Sequence, residues 1–455
     1  MIDWLLTHSP ILYFTQSLWR DEVFSIFLAQ QPLSVFLPKL SFEPPLYYIL
    51  LHFWIKFFGT SEIAVRSLSL LGFSLSVIVI IHWAEKLFRT HWLSWGLPIM
   101  YFLNPMLLYY AFEVRTYGWY ILFIVLSFYS YVEKKWILYL IATVLGFYTH
   151  SYMILVPFTQ GIHFLFIFAT KHKLKNISQK TIRLLLQERF IQASLLIVLS
   201  ITPWLFRILK DASKLKESWY FPVDFHLIRS VLGNMFIGYE GTPWYLWGMT
   251  SLLSIVIVLY SVFAIKNKEH RTRNMFFFLS MYVPLIIVIS ISFVKPLFVN
   301  RYLIHVTIAQ VFLLAIAIEN VKKKMVQKIL FGSTVIGLIL FNIWYPAKHA
   351  KLDIRTTLMQ INALKTRQDV VFAETPLIFF ESVYYSSDPS RVFLYNPSNS
   401  PFPWYVGDIV FDKTRVARDF PEYPTRTFLI HENGAFDIAF QLPFSSMATK
   451  SRTNP

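Results

Sequence analysis

The chain contains no cysteine. Disulfides, thiolate metal sites and a cysteine nucleophile are therefore excluded. It is also poor in charge: Asp, Glu, Lys and Arg together make 15% of the 455 residues, against about 25% in an ordinary soluble domain. Much of the surface must then face something other than water. Acidic residues are the scarcer sign, 26 against 42 Lys and Arg, for a net charge of +16. No solenoid or inverted repeat is visible, and the start, Met1-Ile2-Asp3, has neither a basic region nor a small-residue cleavage site, so no cleavable signal peptide is expected.

What the chain has instead is apolar length. Hydrophobic residues make 55% and aromatics 18% of the sequence, and mean hydropathy is +0.49. A membrane-crossing helix needs about 20 apolar residues. Ten stretches are candidate spans: Ile63–Ala84, Trp92–Ala111, Thr116–Val132, Trp136–Thr149, Ser151–Thr170, Phe190–Leu209, Tyr245–Ile265, Met275–Val294, Tyr302–Ile318 and Ile329–Trp344. A shorter one, Leu5–Leu18, precedes them and brings the expected count to about eleven. Pro45–Phe58 is short and, on the charge pattern that follows, reads as an interfacial helix, with His52 and Lys56 one turn apart on a face expected to stay wet.

Charge sets the orientation. With Pro45–Phe58 left out of the membrane, Lys86/Arg89, Lys134/Lys135, Lys171–Arg189, Lys266–Arg273 and Lys322–Lys328 all fall on one side, carrying about 18 of the 42 basic residues. That side is cytoplasmic by the positive-inside rule. Basic residues set between apolar runs do not describe a nucleic-acid surface, and no nucleic-acid partner is expected. Trp204, Trp219, Trp244, Trp247 and Tyr345 read as interfacial aromatic belt.

Composition changes after Trp344. The bursts Asp369–Glu374, Arg391–Tyr395 and Thr425–His431 read as strands, and Pro376–Tyr385 between the first two reads as a helix. Pro401, Pro403, Pro421 and Pro424 punctuate the loops. The expected organisation is a polytopic α-helical membrane domain over 1–346, followed by a small extracytoplasmic α/β domain over 347–455.

Polar residues within the outer segments call for a reason. Asp21 and Glu22 follow the first span, and Glu43 lies in the same outer loop. Glu113, Arg115 and Tyr117 lie at the outer end of the third span. His150 lies at the turn between the fifth and sixth, and Arg301-Tyr302 open the tenth. Each has an ordinary reading: interfacial acids, a structural ion pair at Glu113 and Arg115, a helix-end histidine, a snorkelling arginine. Agreement on one side favours a shared site. Arg301 suits a phosphate through its planar fork, and Lys39 suits either snorkelling or a lipid phosphate. Asp21 suits proton abstraction from an attacking hydroxyl or amine, and Glu43 with His150 suits a divalent metal ion.

These segments resemble the GT-C superfamily of membrane glycosyltransferases, in particular the bacterial group similar to protein O-mannosyltransferases and the lipid A aminoarabinose transferase. The resemblance rests on Ser17-Leu-Trp-Arg-Asp-Glu22, Glu43-Pro-Pro-Leu-Tyr-Tyr48, Ser61-Glu-Ile-Ala-Val-Arg66, Asn104-Pro105, Tyr110-Ala-Phe-Glu-Val-Arg-Thr-Tyr117, Tyr148-Thr-His150 and Arg301-Tyr-Leu303, in that order. It implies a GT-C type fold with interfacial helices in the first outer loop. It also implies inverting transfer of a sugar from a polyisoprenyl-phosphate donor to a protein, glycolipid or polysaccharide acceptor, in the cell envelope, with the active site facing outward from the inner membrane. The family's first-loop acid falls on Asp21, with Glu22 as companion, and the acid of its Phe-Glu-Pro-Pro element on Glu43; Glu43, Glu113, Arg115, Tyr117, His150, Arg301 and Tyr302 are the expected substrate-binding residues. Where one relative has Lys after the second-loop Glu, this chain has Pro44, which moves the expected phosphate contact to Arg301. The rival reading is a non-enzymatic transporter or flippase of lipid-linked sugars, whose polar residues would be spread through the depth of several spans.

Overall fold

The structure, a computed structural model, describes residues 2–88, 91–172, 179–211, 213, 222–238, 243–402, 407 and 409–442. Arg89, Trp219 and Pro403, with part of the basic 171–189 segment, lie outside the described residues. The chain divides into two compact units. The first comprises Met1–Thr15 and Leu28–Ala350; the second comprises Gln16–Phe27 and Lys351–Pro455.

The first unit is helical throughout. Among the described residues seven helices are long and apolar enough to cross a bilayer: Glu62–Leu87, Ser151–His172, Arg189–Lys210, Trp244–Ile265, Arg271–Ser292, Asn300–Glu319 and Lys324–Lys348. Shorter apolar helices run over Leu46–Phe58, Tyr117–Val132, Trp136–Thr149 and Phe225–Ile237. Of the seven, Asn300–Glu319 is the centre: 83% of its apolar window is buried, against 17–44% for the others. The outer helices keep large apolar side chains exposed, among them Leu199, Phe206, Leu252 and Leu259. Such faces have a favourable partner only in hydrocarbon.

Close helix contact depends on glycine. A Cβ on Gly118, at the start of Tyr117–Val132, would collide with the Ser69 carbonyl of Glu62–Leu87. One on Gly233, in Phe225–Ile237, would collide with the Thr250 carbonyl of Trp247–Ile265. Small residues at these crossings let backbones meet where the hydrophobic effect between helices is weak.

Three expectations change. Leu5–Leu18 is not one span: it forms the short helices Ile2–Thr7 and Ile11–Thr15, with Pro10, which has no N–H to donate, between them. Trp92–Ala111 is likewise interrupted. His91–Phe102 ends, and Pro105–Ala111 begins afresh with the Asn104 side chain accepting from Leu107 N. His52 is not on a wet face. It is buried, with Nδ1 2.7 Å from the Ala29 carbonyl. The helix that carries it, Leu46–Phe58, has 13 residues, about 20 Å at about 1.5 Å per residue, short of the roughly 30 Å hydrocarbon core.

The second unit holds a five-stranded sheet: β1 (Val370–Ala373), β2 (Val392–Tyr395), β3 (Val416–Ala417), β4 (Thr427–Ile430) and β5 (Phe436–Ala439), in spatial order β3-β2-β1-β4-β5. All pairs are parallel except β4–β5. Val371 at the centre faces Val392 and Phe428 across the two neighbouring strands. The helix Pro376–Tyr385 connects β1 to β2. A second helix, Ile354–Leu364, buries Ile354, Leu358 and Ile361 at helical spacing. Asp369 pins the start of β1 by accepting from Arg426 Nη2 at 2.7 Å and from the backbone N–H groups of Thr366 and Arg426. Burial works to raise its pKa, but these bonds outweigh it and hold the carboxyl well below the usual range.

The segment 16–27, early in the chain, belongs to this second unit. Leu18 N–H donates to the Tyr385 hydroxyl at 2.8 Å, Lys351 N–H donates to Gln16 Oε1 at 2.9 Å, and the Phe27 ring meets that of Phe380 at 6.2 Å.

Candidate functional site

The expected site residues divide between the two units. Asp21 and Glu22 lie in the second; Glu43, Glu113, Arg115, Tyr117, His150, Arg301 and Tyr302 lie in the first.

In the second unit Asp21 and Glu22 occupy the first turn of the helix Arg20–Gln30, where carboxylates meet the positive end of the helix dipole. Asp21 Oδ1 accepts from Arg20 Nη2 at 2.8 Å and Nε at 3.0 Å. Glu22 is fully buried; its Oε2 accepts from Trp19 N–H at 3.2 Å, as in a capping box, and pairs with Lys351 Nζ at 3.1 Å. Glu381 lies within reach of this pair and of the Arg20 backbone N–H, and burial raises its carboxyl pKa to about 8.

In the first unit the turn between Pro105–Ala111 and Tyr117–Val132 carries Glu113 and Arg115. It is held by Ser69 Oγ, which donates to the Arg115 carbonyl at 3.1 Å and lies 2.9 Å from the Tyr47 hydroxyl. Tyr117 opens the next helix, its ring 4.9 Å from Tyr110. His150 caps the following turn. Its Nδ1 accepts from Tyr152 N–H at 3.2 Å, which makes Nδ1 the unprotonated nitrogen and Nε2–H a donor in the neutral ring. The imidazole stacks on Tyr120 at 4.6 Å and packs against Tyr302 at 4.9 Å and Tyr117 at 6.0 Å. Arg301, 7% exposed, lies on the turn Asn300–Leu303 with its guanidinium 5.7 Å from the Tyr302 ring centre. The charges of Arg301, Arg115 and Glu113 all act on Tyr117, and those of both arginines on His150. The structure thus brings Glu113, Arg115, Tyr117, His150, Arg301 and Tyr302 into one cluster. Glu43, half-buried, approaches through its neighbour: Ser151 Oγ donates to the Phe42 carbonyl at 3.3 Å. Lys39 is exposed at the end of the turn Leu37–Lys39.

Sequence reasoning missed Tyr120, Tyr152 and His305. Tyr152 packs on Tyr302 at 5.1 Å and donates to the Leu297 carbonyl at 2.7 Å. Each follows a named residue at short spacing: Tyr120 three after Tyr117, Tyr152 two after His150, His305 four after Arg301. On a helix the first and last of these spacings return to the same face. Two guanidiniums, several phenols and a neutral imidazole donor in one enclosure form a chemistry suited to a phosphate-like oxyanion beside a polyhydroxylated group.

Fold and cluster together define a polytopic helical membrane protein with a polar site at the ends of its helices and a small α/β unit. No family model matches the chain, and no curated protein matches it significantly. Solved structures do match along nearly their full length, among them ArnT from Cupriavidus metallidurans in the apo state and the same protein bound to undecaprenyl phosphate. Each of these two aligns with a TM-score of 0.60 at 11% sequence identity, covering 94% of this chain and 91% of the other. The chain therefore has the ArnT fold, of the GT-C type that its motifs resemble.

Proposed function

We propose that the chain is an inverting glycosyltransferase that moves a sugar from a polyisoprenyl-phosphate donor to an acceptor on the extracytoplasmic face of the inner membrane. The observation that carries this reading is the near-full-length likeness to a fold whose solved example binds undecaprenyl phosphate. The Arg301, Arg115, Tyr117 and His150 cluster supports it, because its chemistry suits a phosphate headgroup.

In this reading the acceptor's hydroxyl or amine attacks the anomeric carbon from the face opposite the phosphate. The new bond to C1 forms as the C1–O(phosphate) bond breaks, and that electron pair leaves on the lipid phosphate. The acceptor's proton goes to the Asp21 carboxylate, which the Arg20 guanidinium orients. Arg301 and Arg115 offset the negative charge growing on the phosphate. The second unit is proposed to face outward and to meet the acceptor, a protein, glycolipid or polysaccharide. A divalent metal ion at Glu43 and His150 stands as a separate proposal. Among the described residues no group of three or more His, Asp or Glu gathers that could hold a metal ion, and two ligands fall short of the three that catalytic zinc sites use. No step is routed through a metal.

The test is incubation of purified full-length protein with labelled polyprenyl-phosphate sugars and envelope acceptors. Transfer releases free lipid phosphate, and Asp21→Asn abolishes that release while leaving expression and melting unchanged. Movement of lipid-linked sugar across vesicles with no release would overturn the enzyme in favour of a flippase. Undiminished transfer by Asp21→Asn would remove Asp21 from its role, and transfer unchanged by chelators would remove the metal.

A further inference from the structure

His305 is absent from the motifs that carry the resemblance, yet it is enclosed against the polar cluster. The side chain is 1% exposed, on the first turn of the central helix Ile304–Glu319. Its Nδ1 lies 3.3 Å from the Tyr120 hydroxyl, and Tyr120 stacks on His150. His150 in turn lies within electrostatic reach of His305. Among the described residues the other ring nitrogen, Nε2, has no hydrogen-bond partner.

Buried polar atoms are nearly always bonded, and one left unbonded loses its hydration without recompense. Packing alone does not account for this residue. An apolar side chain of similar size would fill the same volume at no such cost, and Tyr120 can bond the Tyr302 carbonyl at 3.3 Å without His305. What an imidazole adds is a second nitrogen, on the far edge of the ring from the first.

We propose that His305 is a ligand-binding residue of this site, its Nε2 hydrogen-bonding the polar head of the lipid-linked ligand. The inference rests on the reading of the chain as a polyprenyl-phosphate enzyme. Two parts of that head can supply the bond. When Nδ1 accepts from Tyr120, Nε2–H donates to a phosphate oxygen. When the Tyr120 proton turns to the Tyr302 carbonyl, Nδ1–H donates to the phenol oxygen and Nε2 accepts from a sugar hydroxyl.

The experiment compares full-length protein in nanodiscs for binding of undecaprenyl phosphate and of undecaprenyl-phosphate mannose. Asn at this position reproduces Nδ1 and loses Nε2; Gln reaches the place of Nε2 and gives up the Tyr120 bond. His305→Asn is expected to weaken binding about five- to tenfold while His305→Gln stays within about threefold of wild type. Weakening for both lipids assigns the bond to the phosphate, and weakening for the mannosyl lipid alone assigns it to the sugar. If His305→Asn binds both lipids as wild type does, the inference is overturned, and a loss confined to His305→Gln reduces His305 to a support for Tyr120. Should the Asn variant misfold, the 15N resonance of His305 Nε2 in the wild-type protein must move on adding the mannosyl lipid; a fixed resonance overturns the inference. Absence of any binding by wild type overturns instead the reading on which the inference rests.

Discussion

Replacing Glu381 by Gln is expected to stabilise the second unit, and to do so more as pH rises. Glu381 is 6% exposed, and burial lifts its carboxyl pKa from 4.5 to about 8. The Arg20 backbone N–H, Lys351 and the Arg20 charge pull it down, and Glu22 pushes it up. The sign follows from linkage. Below pH 4.5 the group is protonated in the folded and the unfolded chain alike and costs nothing. Between 4.5 and 8 the unfolded chain gives up the proton while the folded chain keeps it, so stability falls by about 1.4 kcal/mol per pH unit. Above 8 the loss is complete and the curve is flat. Gln has the shape of the protonated acid and never ionises. Glu381→Gln therefore gains less than about 1 kcal/mol at pH 5 and on the order of 3 kcal/mol at pH 7. Hydrogen exchange of the full-length protein in nanodiscs, corrected for intrinsic rates, reads this as slower exchange in β1 and Pro376–Tyr385, with the gap to wild type widening from pH 5 to 8. Infrared spectra should show a protonated-carboxyl band at pH 7 that the variant lacks. A gap independent of pH, or one that closes as pH rises, would refute the reasoning.

Three further outcomes follow from the packing. Gly118→Ala sets a methyl group against the Ser69 carbonyl, a backbone atom that cannot swing aside, and should cost roughly 1–3 kcal/mol or more; a melting temperature equal to wild type would show that the two helices can part freely. Asp369→Asn removes the charge from the Arg426 bond and should cost about 1.5–3 kcal/mol at pH 7, seen as faster exchange in β1. Because the native carboxyl is depressed, its stabilisation exists above the ordinary Asp pKa and fades in acid, so variant and wild type should converge as pH falls. Lys351→Met removes a cation from the buried Glu22 carboxylate and should destabilise the second unit by up to about 3 kcal/mol; adding Glu22→Gln should restore part of that loss, and strict additivity of the two changes in a melting cycle would argue against their coupling.

The apolar runs were legible because insertion into a membrane is a local property. Each run of about 20 residues carries its own transfer free energy whatever its neighbours are. The strand and helix bursts after Trp344 were legible for the same reason, since period and turn residues act over a few positions. Glu113, Arg115, His150 and Arg301 could be named because charge among apolar helices is costly and therefore conspicuous. Tyr120 and Tyr152 were not, because a phenol within a span looks the same whether it faces lipid or a polar enclosure; His305 is conspicuous as an imidazole within a span, but only the fold ties it to Tyr120 and His150. What tertiary structure alone decided is where distant segments meet. Gln16–Phe27, between the first two helical stretches and the rest of the membrane unit, joins the C-terminal unit through bonds such as Leu18 to Tyr385, 367 positions apart in the chain. No local pattern encodes such a pairing, because it arises only when two separately formed surfaces bury each other. The same packing that captured Asp21 and Glu22 also enclosed Glu381, an acid whose raised pKa no local pattern in the sequence marks.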